Sequence, residues 1–139
     1  MAYWLLKTEP EEYGYSDLER SGRGRWDGVR GIQALRNIRR IAIGDLAFIY
    51  HTGKEKAIVG IAEVIAAPYP DPNETDDKLL VFDLVPRARL NQSVSLHAVK
   101  SWPELAEWEL VRQPRLSVMP VPDLAWQMVM SAANPIQGQ

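Results

Sequence analysis

The chain has 139 residues, with 16 Lys and Arg against 18 Asp and Glu, and no cysteine. That length fits one domain with a real core. A net charge of -2 excludes a protein that coats duplex nucleic acid by bulk electrostatics, but not a pocket with a local basic rim. The absence of cysteine excludes disulfides, thiol catalysis and thiolate metal sites.

The opening run Met1-Ala2-Tyr3-Trp4-Leu5-Leu6-Lys7-Thr8-Glu9-Pro10 is too short in its apolar part for a secretion signal, and acids follow it. No segment has the length of a membrane span. The expectation is a soluble, cytoplasmic protein with no membrane partner.

Residues 3–7 read as a buried first strand halted by Pro10. Ser16-Asp17-Leu18-Glu19 has capping-box spacing and should open a short helix that Gly22 ends. A glycine-rich loop follows. Residues 33–40 carry Ala34, Leu35, Ile38 and Ile41 at helical spacing. Residues 46–51 alternate as a strand, 52–56 form a polar hairpin connection, and 57–66 read as a central strand. Pro68-Tyr69-Pro70-Asp71-Pro72-Asn73-Glu74 is expected as a surface loop, because proline removes donors. Residues 79–90 resume strand character. Residues 95–100 and 103–108 read as short helices, and 116–119 as a short strand closed by Pro120. Asp123 should cap a last helix over 124–131. Short strands mixed with short helices give an α+β fold with a small curved sheet or barrel. One domain is expected over residues 1–133, with 134–139 as a flexible C-terminal tail.

Catalysis finds little support. A hydrolase needs a nucleophile and an oriented base. His51 and His97 have no evident partners, and no serine sits in a nucleophile elbow. No metal cluster, calcium loop, phosphate loop or dinucleotide fingerprint is present, so no metal or cofactor is expected.

The chemistry that remains is binding. In Gly24-Arg25-Trp26-Asp27-Gly28-Val29-Arg30-Gly31, Trp26 offers a stacking surface and the glycines let a ligand approach main-chain N–H groups. Arg23, Arg25 and Arg30 suit phosphate or base faces. Trp26 is expected at an opening, with a core position as the alternative. Lys7, Tyr50 and His51 end strands, although strand phase favours core packing for Tyr50. Tyr69 sits among prolines, and Arg112-Gln113-Pro114-Arg115-Leu116-Ser117 adds cations and a hydroxyl. Trp4, Trp102, Trp108 and Trp126 read as packing residues.

Tyr3-Trp4-Leu5-Leu6-Lys7-Thr8-Glu9-Pro10 and Arg25-Trp26-Asp27-Gly28-Val29-Arg30 resemble the EVE domain. Tyr50-His51, Val59-Gly60-Ile61-Ala62-Glu63-Val64, Tyr69-Pro70-Asp71-Pro72 and the segment from Leu110 to Val118 extend the likeness in order. The resemblance implies a PUA-like fold, a small mixed β-barrel flanked by helices. It is similar to YTH domains and implies recognition of a modified base in DNA or RNA. By that likeness Lys7 and Thr8 line the pocket mouth, Trp26 stacks, main-chain groups at Asp27 and Gly28 read the base edge, and Tyr69 supplies an opposite wall. Val29, Arg30, Tyr50, His51, Arg115 and Ser117 complete the expected pocket. The chain departs from the common Asn-Tyr-Gln-Ala-Arg-Asn run with Gly31-Ile32-Gln33-Ala34-Leu35-Arg36.

The function expected is a non-enzymatic reader of a single-stranded or flipped-out modified base. The alternatives are a protein- or small-molecule-binding groove, which an extended apolar surface would mark, and an enzyme acting on a modified base, which a strongly shifted acid or histidine would mark. Protein partners are not legible in the sequence.

Overall fold

Six strands, β1 (Tyr3–Thr8), β2 (Gly24–Trp26), β3 (Leu46–His51), β4 (Ala57–Pro70), β5 (Leu80–Ser95) and β6 (Val118–Pro120), lie in the order β2-β5-β4-β3-β1-β6 and organise residues 1–134, the part of the chain described by the structure, a computed structural model. β1 (Tyr3–Thr8) runs parallel to β3 (Leu46–His51), in register from Tyr3 beside Leu46 to Thr8 beside His51. Both are apolar through their middles, with Trp4, Leu5, Leu6 and Ala47 to Tyr50 buried. Strands covered on both faces carry such unbroken apolar runs. The C-terminal ends of the two strands therefore lie together, and the candidate site forms at that end.

β4 (Ala57–Pro70) and β5 (Leu80–Ser95) form a long antiparallel pair whose register shifts four times. Such irregularities add twist, and the sheet curls into a half-barrel between its edge strands, β2 (Gly24–Trp26) and β6 (Val118–Pro120). α6 (Asp123–Ala133) packs on the sheet through Trp126, which stacks between Tyr3 at 4.1 Å and Phe48 at 4.0 Å. Buried Asp45 accepts from Ala2 N–H, Trp4 Nε1 and Ala42 N–H at 2.9–3.0 Å, fixing the start of β1 to the turn before β3. The fold is α+β, as expected.

Several local expectations need correction. Residues 68–70 are strand, not loop: Tyr69 pairs with Val81 and Pro70 with Leu80. Asp71 N–H donates to Leu79 O, so the nitrogen of Pro70 points to the opposite edge, which β3 leaves unpaired beyond Glu63. A proline is tolerated there. Pro10 opens a helical turn, α1 (Pro10–Tyr13), as a first-turn proline can. α2 (Tyr15–Ser21) starts two residues earlier than expected, with Gly14 as its cap and Asp17 Oδ2 accepting from Gly14 N–H at 2.7 Å. Ser16 instead accepts from Arg89. α3 (Ile32–Ile38), α4 (Leu96–Lys100) with its Ser95 cap, a 3-10 turn at Pro103–Leu105 and α5 (Glu109–Arg112) complete the helices. Asp123 is the first residue of α6 rather than its cap. The expected tail lies outside the described residues, apart from Asn134.

Candidate functional site

β2 is only three residues long, yet its pairing sets the site. Arg25 lies opposite Asp83 and Trp26 opposite Phe82 on β5. Alternation turns Gly24 and Trp26 inward and leaves Arg25 exposed. Trp26 packs edge-on against Tyr13, with centroids 6.2 Å apart and planes at 80°. Gly24 is required beneath Tyr13, because a Cβ there would lie 2.3 Å from the phenolic oxygen. Past Trp26 the chain turns through Gly28 at φ +77°, a left-handed conformation that glycine adopts without strain.

Between this loop and the end of β1 lies a cavity of about 390 Å³. β1 contributes Lys7 and Thr8, α1 contributes Tyr13, and the loop contributes Arg25 to Arg30. Lys7 N–H donates to Ser117 O at 2.9 Å, which brings Ser117 to the same wall. Thr8 Oγ1 donates to Tyr13 O at 2.6 Å and holds α1 against the strand end. The Lys7 ammonium donates to Pro114 O at 2.9 Å and sits 5.5 Å from the centre of the Tyr50 ring. Burial pushes its pKa below the usual lysine value.

Charge at the rim is arranged by a second layer. Arg25 Nε donates to Tyr69 Oη at 3.1 Å, and that hydroxyl donates to Asp83 Oδ1 at 2.7 Å. Arg23 pairs with Asp83 Oδ2 at 2.6 Å. Its bond to Asp83 raises the Tyr69 pKa, with burial adding to it. Burial pulls the Asp83 pKa up, but the bonds from Arg23 and Tyr69 outweigh it and hold the carboxyl below its ordinary value. Arg30 pairs with Glu74 at 2.6 Å and ties the Trp26 loop to residues 71–79. Asp27 is the one carboxylate lining the cavity, is exposed, and has no hydrogen bond or ion pair among the described residues.

The sequence-chosen residues divide sharply. Lys7, Thr8, Trp26, Asp27, Gly28, Val29, Arg30 and Ser117 all line this cavity. Four do not. Tyr50 is buried and faces a neighbouring cavity. His51 is buried as well. Its Nε2 accepts from Tyr15 N–H at 3.0 Å and its Nδ1 meets Glu55 at 2.8 Å, so it holds the start of α2. Tyr69 stands behind Arg25 rather than opposite Trp26. Arg115 lines another depression, of about 560 Å³, with Gly31 to Ala34. That depression is larger but has no aromatic wall, so it is the weaker base site. Trp26 itself is only 6% exposed. It borders the cavity from within the core, so the opening expected beside it and the core position weighed as the alternative are both present.

Arg25, one of the three arginines singled out for phosphate or base faces, lines the cavity, and so does Tyr13, which was not singled out. Tyr13 carries no local signal, because its place depends on the α1 turn folding back over Gly24. The strand that carries Arg25 was read as loop, because three residues are too few for alternation to show.

The Tyr13 hydroxyl is enclosed and unpartnered among the described residues. An unpaired buried hydroxyl is costly, by about 1–3 kcal/mol. Tyr13→Phe should therefore keep the ring against Trp26 and leave the melting temperature unchanged or raised. A clear fall in calorimetry would show that the hydroxyl has a partner after all.

Fold and site together are those of a small half-barrel with a polar cavity walled by Trp26 and Tyr13 at its strand ends. The EVE domain profile matches residues 2–132, and the chain belongs to the EVE domain family. It is 30% identical to thymocyte nuclear protein 1 of Danio rerio, across 94% of this chain and 71% of that protein. An NMR structure of a Rhodopseudomonas palustris protein superposes with a TM-score of 0.91 at 37% identity, covering 99% of this chain and 96% of the other. The human THYN1 protein, solved in complex with 5-methylcytosine containing DNA, superposes at 0.86 with 26% identity, covering 98% and 99%.

Proposed function

We propose that this protein binds a nucleic-acid strand and holds one modified base in the Trp26 cavity without reacting with it. The observation that carries this reading is an unpaired carboxylate, Asp27, set among cationic side chains in a cavity walled by Trp26 and Tyr13. About 390 Å³ lies within the range of small-ligand sites, roughly 300–1,000 Å³. The human relative solved with 5-methylcytosine containing DNA supports it.

The chemistry favours a base with an exocyclic amine. A carboxylate accepts from the amine of cytosine, and adenine offers a similar donor. Val29 and the open edge of Trp26 supply apolar surface for a methyl group. A base stacked in a duplex presents no face to such a cavity, so the base enters from a single strand or flipped out of a duplex. Lys7 and Arg25 meet the backbone, while Arg30 is already engaged by Glu74. Turnover is not part of the proposal. Thr8 Oγ1 is committed to a carbonyl, and both His51 nitrogens are occupied outside the cavity. One domain over residues 1–133 and a cytoplasmic location belong to the same proposal.

A titration of DNA and RNA oligomers with and without modified bases tests it. Oligomers carrying a methylated amine base should bind more tightly than their unmodified controls. Salt dependence should be shallow, with a log–log slope of about -2 to -4 for a duplex, since only about two to four phosphates are contacted. Equal affinity for modified and plain oligomers, or a slope near -10, would refute this mode of binding.

A further inference from the structure

A second cavity, of about 290 Å³, adjoins the first across Lys7, whose side chain lines both. Its walls are apolar, from Leu96, Leu110, Val111 and Pro114, with the Tyr50 ring behind Lys7. Its charged groups are Lys7, Lys56 and Lys100, and no carboxylate lines it. None of the three amines forms an ion pair among the described residues. Glu9 borders the cavity through Thr52, from which it accepts at 3.2 Å, and Glu55, next to Lys56, is engaged by His51 at 2.8 Å.

The backbone adds an independent sign. Lys56 is the one residue other than glycine with positive φ among the described residues, at 45°. Its carbonyl accepts from Leu96 N–H at 2.8 Å, which fixes the strained turn against α4, the helix that ends in Lys100. Strain of this kind gathers at binding sites, where surrounding structure over-determines an awkward conformation. Here it holds the Lys56 turn at the edge of a cavity that Lys100 also lines.

We propose that this second cavity is a phosphodiester subsite, taking the phosphate and sugar of the nucleotide that flanks the base in the Trp26 cavity. The proposal rests on the base-holding reading above. Lys7 stands at the junction, where its ammonium is offered to the phosphate linking the two nucleotides. The amines neutralise the phosphate, and the apolar floor receives the sugar. The path of the strand thus runs from the Trp26 loop, over Lys7, toward α4. It also reconciles an acidic chain with a polyanion, because Lys7, Lys56 and Lys100 are gathered around one cavity that no carboxylate lines.

Two trinucleotides separate this inference from the reading beneath it. One carries 5-methylcytosine between two thymidines, and the other carries an abasic tetrahydrofuran residue in the centre. Amide shifts in ¹H–¹⁵N NMR report each cavity separately. Both probes should shift Gly53, Lys56, Lys100 and Val111, and only the first should shift residues 26–29. In Lys56→Gly/Lys100→Gln the shifts around Lys56 and Lys100 should vanish, and affinity for the 5-methylcytosine probe should fall about 10- to 100-fold. The single-strand salt slope should shrink by about 1.4, or 0.7 for each lost contact. Glycine accepts the positive φ at position 56, and the melting temperature checks that the variant folds. Shifts confined to residues 26–29, or affinity unchanged in the double variant, would overturn the subsite while leaving the base cavity standing. Shifts at the lysines with none at residues 26–29 would remove the base cavity and leave a bare phosphate site. No shift with either probe would overturn both.

Discussion

Trp26→Ala is expected to cost about 3–5 kcal/mol of folding stability, the usual toll for truncating a buried Trp. Trp26 is 6% exposed, pairs through its backbone with Phe82, and packs edge-on against Tyr13. Domains are stable by only about 5–15 kcal/mol, so the melting temperature should fall by roughly 10–20 °C. Binding will fall too, partly because less protein is folded. Trp26→Phe resolves the two effects. It keeps a ring in the core, and since little of the indole is open to the cavity, it should lose less than about fivefold in affinity, below the full stacking value of roughly 1–3 kcal/mol per base. Calorimetry and titration of both variants make the check. A Trp26→Ala protein that melts within a few degrees of wild type would show that the ring is not a structural member.

The ambiguity over Trp26 was present in the sequence and has a physical cause. A tryptophan between glycines signals both an aromatic binding wall and a core residue beneath a permissive loop. Only the pairing of residues 24–26 with β5 decides between them. Strands with long apolar runs, such as residues 46–51, were legible because burial on both faces leaves a continuous signature. The strand through Pro68 and Pro70 was not, because proline marks a loop unless the free edge beside it is known. At the site, the residues of the Trp26 loop lie around one cavity together with Lys7, Thr8 and Ser117. His51 and Tyr50 end a strand adjacent to β1, and one residue of register separates a cavity wall from a buried anchor. Tyr69 lies outside that cavity for a different reason. Its hydroxyl works through Arg25, and a side chain that positions another leaves no mark distinguishing it from one that touches the ligand.

Asp27→Ala should leave stability within about 0.5 kcal/mol of wild type, since Asp27 is exposed and unpaired. Its effect on binding has a sign that discriminates between two physical roles. If Asp27 only contributes charge, its removal relieves repulsion of the strand. At about 8 Å in water that repulsion is roughly 0.5 kcal/mol before screening, so every oligomer should bind about twofold more tightly. If Asp27 accepts a hydrogen bond from the base, its removal should weaken oligomers carrying an amine base by roughly 1–3 kcal/mol, or about five- to hundredfold. A thymine-centred oligomer, which offers a carbonyl where cytosine offers an amine, should not weaken and should gain the small electrostatic benefit. Asp27→Asn keeps an acceptor oxygen without the charge and should fall between wild type and alanine for the cytosine oligomer. The expected result is therefore a crossing of affinities, with the 5-methylcytosine oligomer losing and the thymine oligomer gaining on the same variant. Titration of both oligomers at one salt concentration reads it directly. A parallel gain for both would remove Asp27 from base recognition and leave it as a bystander charge at the rim.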